Sequence, residues 1–371
     1  MPNALNQIPD GLHAAQDYER LAPEFIEPST WHYIQGGSGQ ELTLQANQGA
    51  LARLRLQPRL LRPLAHGHTR LTLLGQPRLH PILLAPVAYQ RLVHPLGELA
   101  TAQGAHAMDA GMIVSTLSST LLEDIAPLTH DKWFQLYFQP NRQVTLDLIR
   151  RAEHAQYQAL VVTLDATIKS PSGRALRSGF VMPDAVRHVN LDRYPTPTSR
   201  PLRHGDSMVF QGIMADAPTW DDLRWLQTQT QLPIVVKGVQ HPADARVLQE
   251  MGIAAQVVSN HGGRALDGVP ASITVLPSIR AAVGPDYPLL LDSGIRSGQD
   301  IFKALALGAN AVLIGRLQVY ALAVAGALGV AHMLRTLHEE LELCMAQAGC
   351  ATLADITPDI LFDSASKASP C

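Results

Sequence analysis

The sequence predicts an α/β protein folded as a (β/α)8 barrel, the TIM-barrel class, with an N-terminal helical segment and a long loop after strand 4. Two observations carry this. Eight short apolar runs recur from residue 81 onward, and a stretch with helical periodicity follows each of them. The runs are continuous rather than alternating, as expected of strands buried on both faces of a parallel sheet. Eight such strands alternating with helices close naturally into a barrel. A doubly wound open sheet is the rival, but no GxGxxG opens any helix.

Residues 1–64 read as helical and form the first segment; the barrel is assigned to 65–371. LTLLGQPRL (71–79) reads as a hairpin placed to close the barrel's bottom. The eight strands are PILLAP (81–86), MIVSTLS (112–118), WFQLYF (133–138), ALVVTLD (159–165), PIVVKG (233–238), AAQVVSN (254–260), PLLLDSG (288–294) and AVLIGR (311–316). Between the fourth and fifth, the interval is about twice the usual βα spacing. Its excess, residues 180–219, is rich in Pro, Arg, His and Asp, and leaves the end of the barrel where active sites sit. A lid is expected there. Residues 321–348 read as a long amphipathic helix.

Bulk properties narrow the function. Of 371 residues 46% are hydrophobic but only 5% aromatic, so aliphatic side chains must fill a large core. A net charge of −3 gives no electrostatic footprint for nucleic acid or an anionic membrane. Cys344, Cys350 and Cys371 form no CxxC pair, and His66 and His68 make an isolated HxH without a carboxylate partner, so no metal is expected. The first residues lack a signal peptide's basic and apolar regions, and no unbroken run of 18 apolar residues suggests a membrane span. A cytoplasmic enzyme is the expectation.

The most informative segment is SNHGGRALDGVP (259–270). It follows a buried strand directly, so His261 and Arg264 emerge at the barrel's catalytic face. Gly262 and Gly263 permit a tight turn close to a ligand. A histidine suits proton abstraction near neutral pH, and an arginine three residues later can clamp a carboxylate. In isolation the pair reads better as a histidine capping a strand end and an arginine in a surface ion pair. It is not isolated.

SNHGGRALDGVP closely resembles the active-site signature of the FMN-dependent 2-hydroxy acid oxidases and dehydrogenases. The resemblance runs from about residue 15 to residue 360 and includes YIQGGSGQELTLQAN (33–47), APVAYQRLVHPLGE (85–98), VVTLDAT, PIVVKGVQHPADA and LDSGIRSGQDIFKALALGANAVLIGR. It implies an enzyme that binds FMN and oxidises a 2-hydroxy acid to the 2-keto acid. It also implies a homo-oligomer, a tetramer in this family; with no haem domain legible, oxygen or a separate electron acceptor is expected.

The resemblance assigns roles that physical chemistry supports. His261 matches the base, and Asp165 the carboxylate that orients it and stabilises its imidazolium form. Lys237 matches the lysine beside flavin N1, where positive charge favours the reduced, anionic ring. Ser259, Asp292, Ser293, Gly294, Arg296, Gly315 and Arg316 match the cofactor and phosphate loops at the barrel's end, where glycine N–H groups and arginines suit a phosphate. Ala88, Ser115, Gln135 and Thr163 match contacts around the flavin ring. Tyr33 and Tyr137 match the two active-site tyrosines, each able to bond a substrate carboxylate or hydroxyl. Taken singly, several of these read as ordinary structural residues: Asp165 as a helix cap, Lys237 as a snorkelling lysine.

The chain departs from the family at the fourth βα loop. Ser172 stands where the family places a second arginine facing the substrate carboxylate; Arg174, two residues on, is the candidate replacement. Leu117 replaces a pocket tryptophan. A substrate held by Arg264 alone loses a charge-assisted bond, so glycolate and lactate are expected to be poor substrates and bulkier acids better ones. Three readings stand: a 2-hydroxy acid oxidase, the same flavin chemistry on a substrate with no free carboxylate (a lactone, ester, amide, peptide-like molecule or amine), and a non-catalytic flavin-binding barrel. The intact set Asp165, Lys237, His261 and Arg264 favours catalysis, and most of the carboxylate site remains.

Overall fold

A computed structural model describes residues 4–197 and 201–362. The expectations for 198–200, within the long loop, and for Cys371 lie outside those residues.

All eight expected strands are present. The hairpin is β1 (Leu71–Leu73) and β2 (Gln76–Arg78), paired antiparallel. The barrel strands are β3 (Ile82–Leu84), β4 (Gly111–Ser115), β5 (Lys132–Leu136), β6 (Leu160–Thr163), β7 (Ile234–Val239), β8 (Ala255–Val258), β9 (Leu289–Asp292) and β10 (Ala311–Ile314). They pair in parallel in sequence order, and β10 returns to β3 to close the barrel.

Alternation sorts the apolar side chains into two cores. Leu83, Ile113, Trp133, Val161, Val235, Val257, Leu290 and Leu313 form one buried cluster, to which the hairpin contributes Leu73. Their strand neighbours, such as Leu84, Val114, Phe134 and Val162, join the second cluster with the surrounding helices. Side chains two apart share a face, so one continuous apolar strand feeds both layers. Arg78 anchors the hairpin beneath the barrel, pairing with Asp131 and lying 5.3 Å from the Trp133 ring centroid.

The last helix, Arg316–Ala348, begins earlier than its periodicity suggests and is kinked where Ala325 and Gly326 leave helical geometry, with Gly326 at φ 54°. It contains an 18-residue window of mean hydropathy 1.7, long and apolar enough to cross a membrane by composition, yet 78% of that window is buried inside the protein. Its apolarity serves core packing. Gly104, on the helix Glu98–His106, permits the close approach: a Cβ there would lie 2.7 Å from the Ala327 carbonyl oxygen.

The N-terminal segment is helical only in part. Helices cover Asp17–Leu21, Pro28–Gln35 and Leu42–Arg53, but 54–64 is not helical. Pro58 and Pro63 interrupt it, and Leu56 instead bridges to Leu361 at the other end of the chain.

The long loop after β6 is not uniform. Asn190 is fully buried: its side chain accepts a bond from Leu122 N (2.9 Å) and donates to Ser118 Oγ (2.8 Å). Arg151 donates to the Asn190 carbonyl oxygen (2.8 Å) and is also paired with Glu123. The stretch around 187–194 is therefore tied to the barrel wall. By contrast 201–216 exposes Met208, Phe210 and Ile213 on an outer turn. We expect limited proteolysis of the free protein to cut within 201–217 and a substrate analogue to slow those cuts, with 187–194 resistant in both states. Equal cutting of 201–217 with and without ligand would remove the gating role.

Candidate active site

The site assembles at the C-terminal ends of the strands, where the barrel's loops converge. After β8 the backbone turns sharply: His261, Gly262 and Gly263 take φ values of 59°, 63° and 74° in succession. This left-handed path suits glycine and strains histidine, so the surroundings must hold His261 in place. They do so through its N–H, which donates to Ser259 Oγ (3.0 Å), and through Nδ1, which lies 3.0 Å from Asp165 Oδ1. Asp165 follows β6. It fits there because residue 238 on β7 is glycine, with φ 108°; a Cβ would lie 2.5 Å from the Asp165 Cβ.

Charge in this cluster is mutually arranged. Burial lowers the His261 pKa, assisted by Lys237 and Lys169 and opposed by Asp165. Burial alone would raise that of Asp165, but His261, Lys237 and Lys169 outweigh it and lower it. The pair thus rests as an ionised carboxylate beside a neutral imidazole, the form a base requires. Burial also works against the charge of Lys237, yet Asp292 and Asp165 prevail and raise its pKa. Lys237 Nζ lies 2.8 Å from Asp292 Oδ2 and donates to Ser259 Oγ (2.9 Å), which itself donates to Asp292 (2.6 Å). Gly262 N donates to Ser293 Oγ (3.0 Å), locking the His261 turn to the loop after β9.

His261, Arg264, Tyr33, Tyr137, Ala88 and Lys169 line one cavity. Tyr33 stacks on Phe180, centroids 4.3 Å apart, and the Arg264 guanidinium lies 5.1 Å from the Tyr33 ring centroid. Arg264 bonds through Nη1, to the carbonyl oxygens of Tyr33 (2.9 Å), Ile34 (3.1 Å) and Gly36 (3.1 Å) at the end of the helix Pro28–Gln35. Among the described residues its Nε and Nη2 make no hydrogen bond, which leaves them available to an anion. Burial, and secondarily Asp165, raise the pKa of Tyr137, so its hydroxyl stays protonated and able to donate.

One sequence expectation needs correction. Arg174 does not replace the missing arginine: its Nε donates to Glu41 (3.0 Å), Nη2 pairs with the same carboxylate, and it is absent from the cavity wall. Ser172 caps the short helix Gly173–Arg177, accepting from Ala175 N (3.3 Å), and so points its hydroxyl at backbone rather than substrate. Arg296 pairs with Glu19 beside Gly294, and its charge bears on Arg316 at the corner where the resemblance puts the phosphate. Two residues escaped the sequence reading. Lys169, in the same loop as Ser172, reaches into the cavity, with Nζ 5.8 Å from the Tyr137 ring centroid. Glu98 is buried and accepts bonds from Gln90 N (3.1 Å), Ser119 N (2.8 Å) and the Ser119 and Thr120 hydroxyls, tying the loop that carries Ala88 to the loop that carries Leu117. A glutamate three residues beyond His94-Pro95 at the start of a helix gives no local sign of such a partner set.

The residues fit an FMN. Among the described residues eight buried side-chain atoms lack a partner; Gln135 Nε2, Thr163 Oγ1 and Asp165 Oδ2 are three of them, all at the ends of β5 and β6. Buried polar atoms are rarely left alone, and a flavin's polar edge would satisfy them. Gln135 Oε1 is already engaged by Ser115 Oγ (3.3 Å) and Thr116 N (3.2 Å), which turns its amide N–H outward. At the other end, a Cβ on Gly315 would meet nothing within 4 Å. Arg316 donates to Ile34, Gly36 and Gly262 carbonyl oxygens, and burial together with the Arg264 charge pushes its pKa down to about 10. Arg264, Arg296 and Arg316 together outnumber Glu19 at this corner, leaving the positive charge that a phosphate suits. Among the described residues no group of three or more His, Cys, Asp or Glu side chains is placed to hold a metal.

Comparison with known proteins agrees with this geometry. A family model described as FMN-dependent dehydrogenase matches residues 22–363. The chain is 58% identical to an L-lactate oxidase of Alicycliphilus denitrificans, over 97% of this chain and 99% of that protein. It is 48% identical to an L-lactate oxidase of a Roseobacter species, over 97% and 98%. A solved mandelate oxidase with benzoyl-formic acid superposes with TM-score 0.85 at 39% identity, covering 94% of this chain and 97% of that one.

Proposed function

The chain belongs to the FMN-dependent dehydrogenase family, and from that premise we propose that it oxidises a small L-2-hydroxy acid, L-lactate foremost, and passes the electrons to oxygen. The balanced reaction converts the hydroxy acid and O2 to the 2-keto acid and hydrogen peroxide. The observation that carries the reading is His261, held by Asp165, opening into the same cavity as Arg264 and Tyr137.

FMN, when bound, accepts the hydride from the substrate carbon. His261 supplies the complementary step: with Nδ1 turned to Asp165, Nε2 is the atom free to take the substrate proton. Asp165 then stabilises the imidazolium that forms. Arg264 holds the carboxylate through Nε and Nη2, and the Tyr33 and Tyr137 hydroxyls bond its oxygens or the substrate hydroxyl. Lys237, the lysine the resemblance sets at flavin N1, would supply positive charge that favours the reduced form of a bound flavin. The relatives named L-lactate oxidases favour a small acid, against the expectation drawn from Ser172 that lactate binds poorly. A cytoplasmic homo-oligomer belongs to the same proposal, by family resemblance.

An anaerobic panel tests it: L-lactate, D-lactate, glycolate, mandelate, lactamide and methyl lactate, each followed by loss of oxidised-flavin absorbance. L-Lactate should reduce the flavin fastest at low concentration, and its amide and ester poorly. Faster reduction by the amide or ester would replace this reading with that of a substrate lacking a free carboxylate.

A further inference from the structure

We propose that Lys169 is the second cation of the substrate-carboxylate site, acting with Arg264 in the place that Ser172 leaves empty. The proposal rests on the reading that the substrate is a 2-hydroxy acid.

Three observations meet here. Ser172 and Arg174 are both committed elsewhere, to a helix cap and to Glu41. Lys169 comes from the same loop, four residues after Asp165, and joins His261, Arg264, Tyr33 and Tyr137 in the cavity wall. Its ammonium lies 5.8 Å from the Tyr137 ring centroid, within cation–π range, while Arg264 stands over Tyr33. The two cations therefore flank the cavity, each set against one of the two tyrosines. A carboxylate between them would accept bonds from both.

The electrostatics agree. Solvent reaches Lys169 along the loop, yet desolvation of its ammonium and repulsion from Arg264 pull its pKa down to about 8, with Asp165 opposing and Lys237 assisting. The charged and titratable groups facing it are Arg264 and His261 from the loop after β8, Lys237 on β7, Asp165 on its own loop, and Tyr137, Tyr33 and Tyr89 around the cavity. Positive charge predominates, so an anion is welcome and would raise the lysine's affinity for its proton. The sign follows. Below about pH 8 Lys169 is charged and binds the acid; above it the free protein loses the ammonium, and affinity for the acid falls.

The experiment measures binding without turnover. 2-Hydroxyisobutyrate has no hydrogen on the hydroxyl-bearing carbon and cannot lose hydride; its amide is a neutral match in shape. Dissociation constants are measured by flavin absorbance perturbation and calorimetry on the FMN-loaded protein, for the parent, Lys169→Met and Lys169→Arg. We expect Lys169→Met to weaken the acid by about 10- to 100-fold and the amide by less than about threefold. Lys169→Arg should keep the acid within about tenfold of the parent. For the parent the acid's dissociation constant should be flat below pH 8 and rise above it, and for Lys169→Met it should stay flat. Unchanged acid binding in Lys169→Met, or equal losses for acid and amide, overturns the role of Lys169. Failure of the parent itself to bind the acid, with no reduction by any free acid in the panel, overturns instead the hydroxy-acid reading and the inference with it.

Discussion

His261→Gln should slow reduction of the bound flavin by L-lactate by about 10²–10⁴-fold while leaving FMN bound, because the variant removes a base and not a cofactor ligand. Glutamine preserves some of the volume and polarity, so the Ser259–Lys237–Asp292 network beneath it should remain. The positive φ at residue 261 suits histidine better than glutamine, so FMN loading is checked alongside the rate. Stopped-flow reduction under anaerobic conditions gives the rate, and FMN released on denaturation gives the loading. A variant that retains more than about a tenth of the parent rate would place the base elsewhere.

Asp165→Asn should also cost on the order of 10²-fold or more in the reductive rate, through orientation and charge. An amide can bond Nδ1 in the wrong sense and cannot balance an imidazolium set near Lys237 and Lys169. The pH profile separates this from a general loss of structure. Asp165 favours protonated His261, whereas burial and the two lysines disfavour it. Removing the carboxylate therefore lowers the His261 pKa further. The variant's plateau should be depressed while its acid limb moves to lower pH: a slower enzyme that tolerates acid better. A depressed plateau with an unmoved acid limb would reduce Asp165 to a structural residue, and an unchanged plateau would remove it from the mechanism.

What the sequence made legible follows from how local each signal is. The eight strands were readable because burial on both faces leaves runs such as LLL (289–291) and IVV (234–236) with no polar interruption. Strand ends placed His261, Asp165 and Lys237 at the barrel's catalytic face, and their roles came from the resemblance carried by the surrounding motifs. Side-chain destinations were not. Arg174 and Glu41 lie 133 residues apart, Arg296 and Glu19 277 apart, and neither pairing has a periodic trace. Lys169 looks like any loop lysine until Tyr137 and Arg264 surround it. The non-helical stretch 54–64 depends likewise on Leu361, which meets it only in the folded chain.

The bonds that seat Arg264 have a temporal consequence. Its guanidinium rests on carbonyl oxygens 228 to 231 residues earlier in the chain, and Asp267 receives the Thr43 N–H from 224 residues away. At roughly 5–20 residues per second, the ribosome takes ~10–45 s to deliver the second half of each contact after the first has emerged. Through that interval the N-terminal helices have no catalytic loop to hold, and Tyr33 no guanidinium to face. Loop-closure entropy over such separations is met only when the rest of the barrel has closed. The segment made first is thus among the last to find its place, and substrate recognition is completed only at the end of folding.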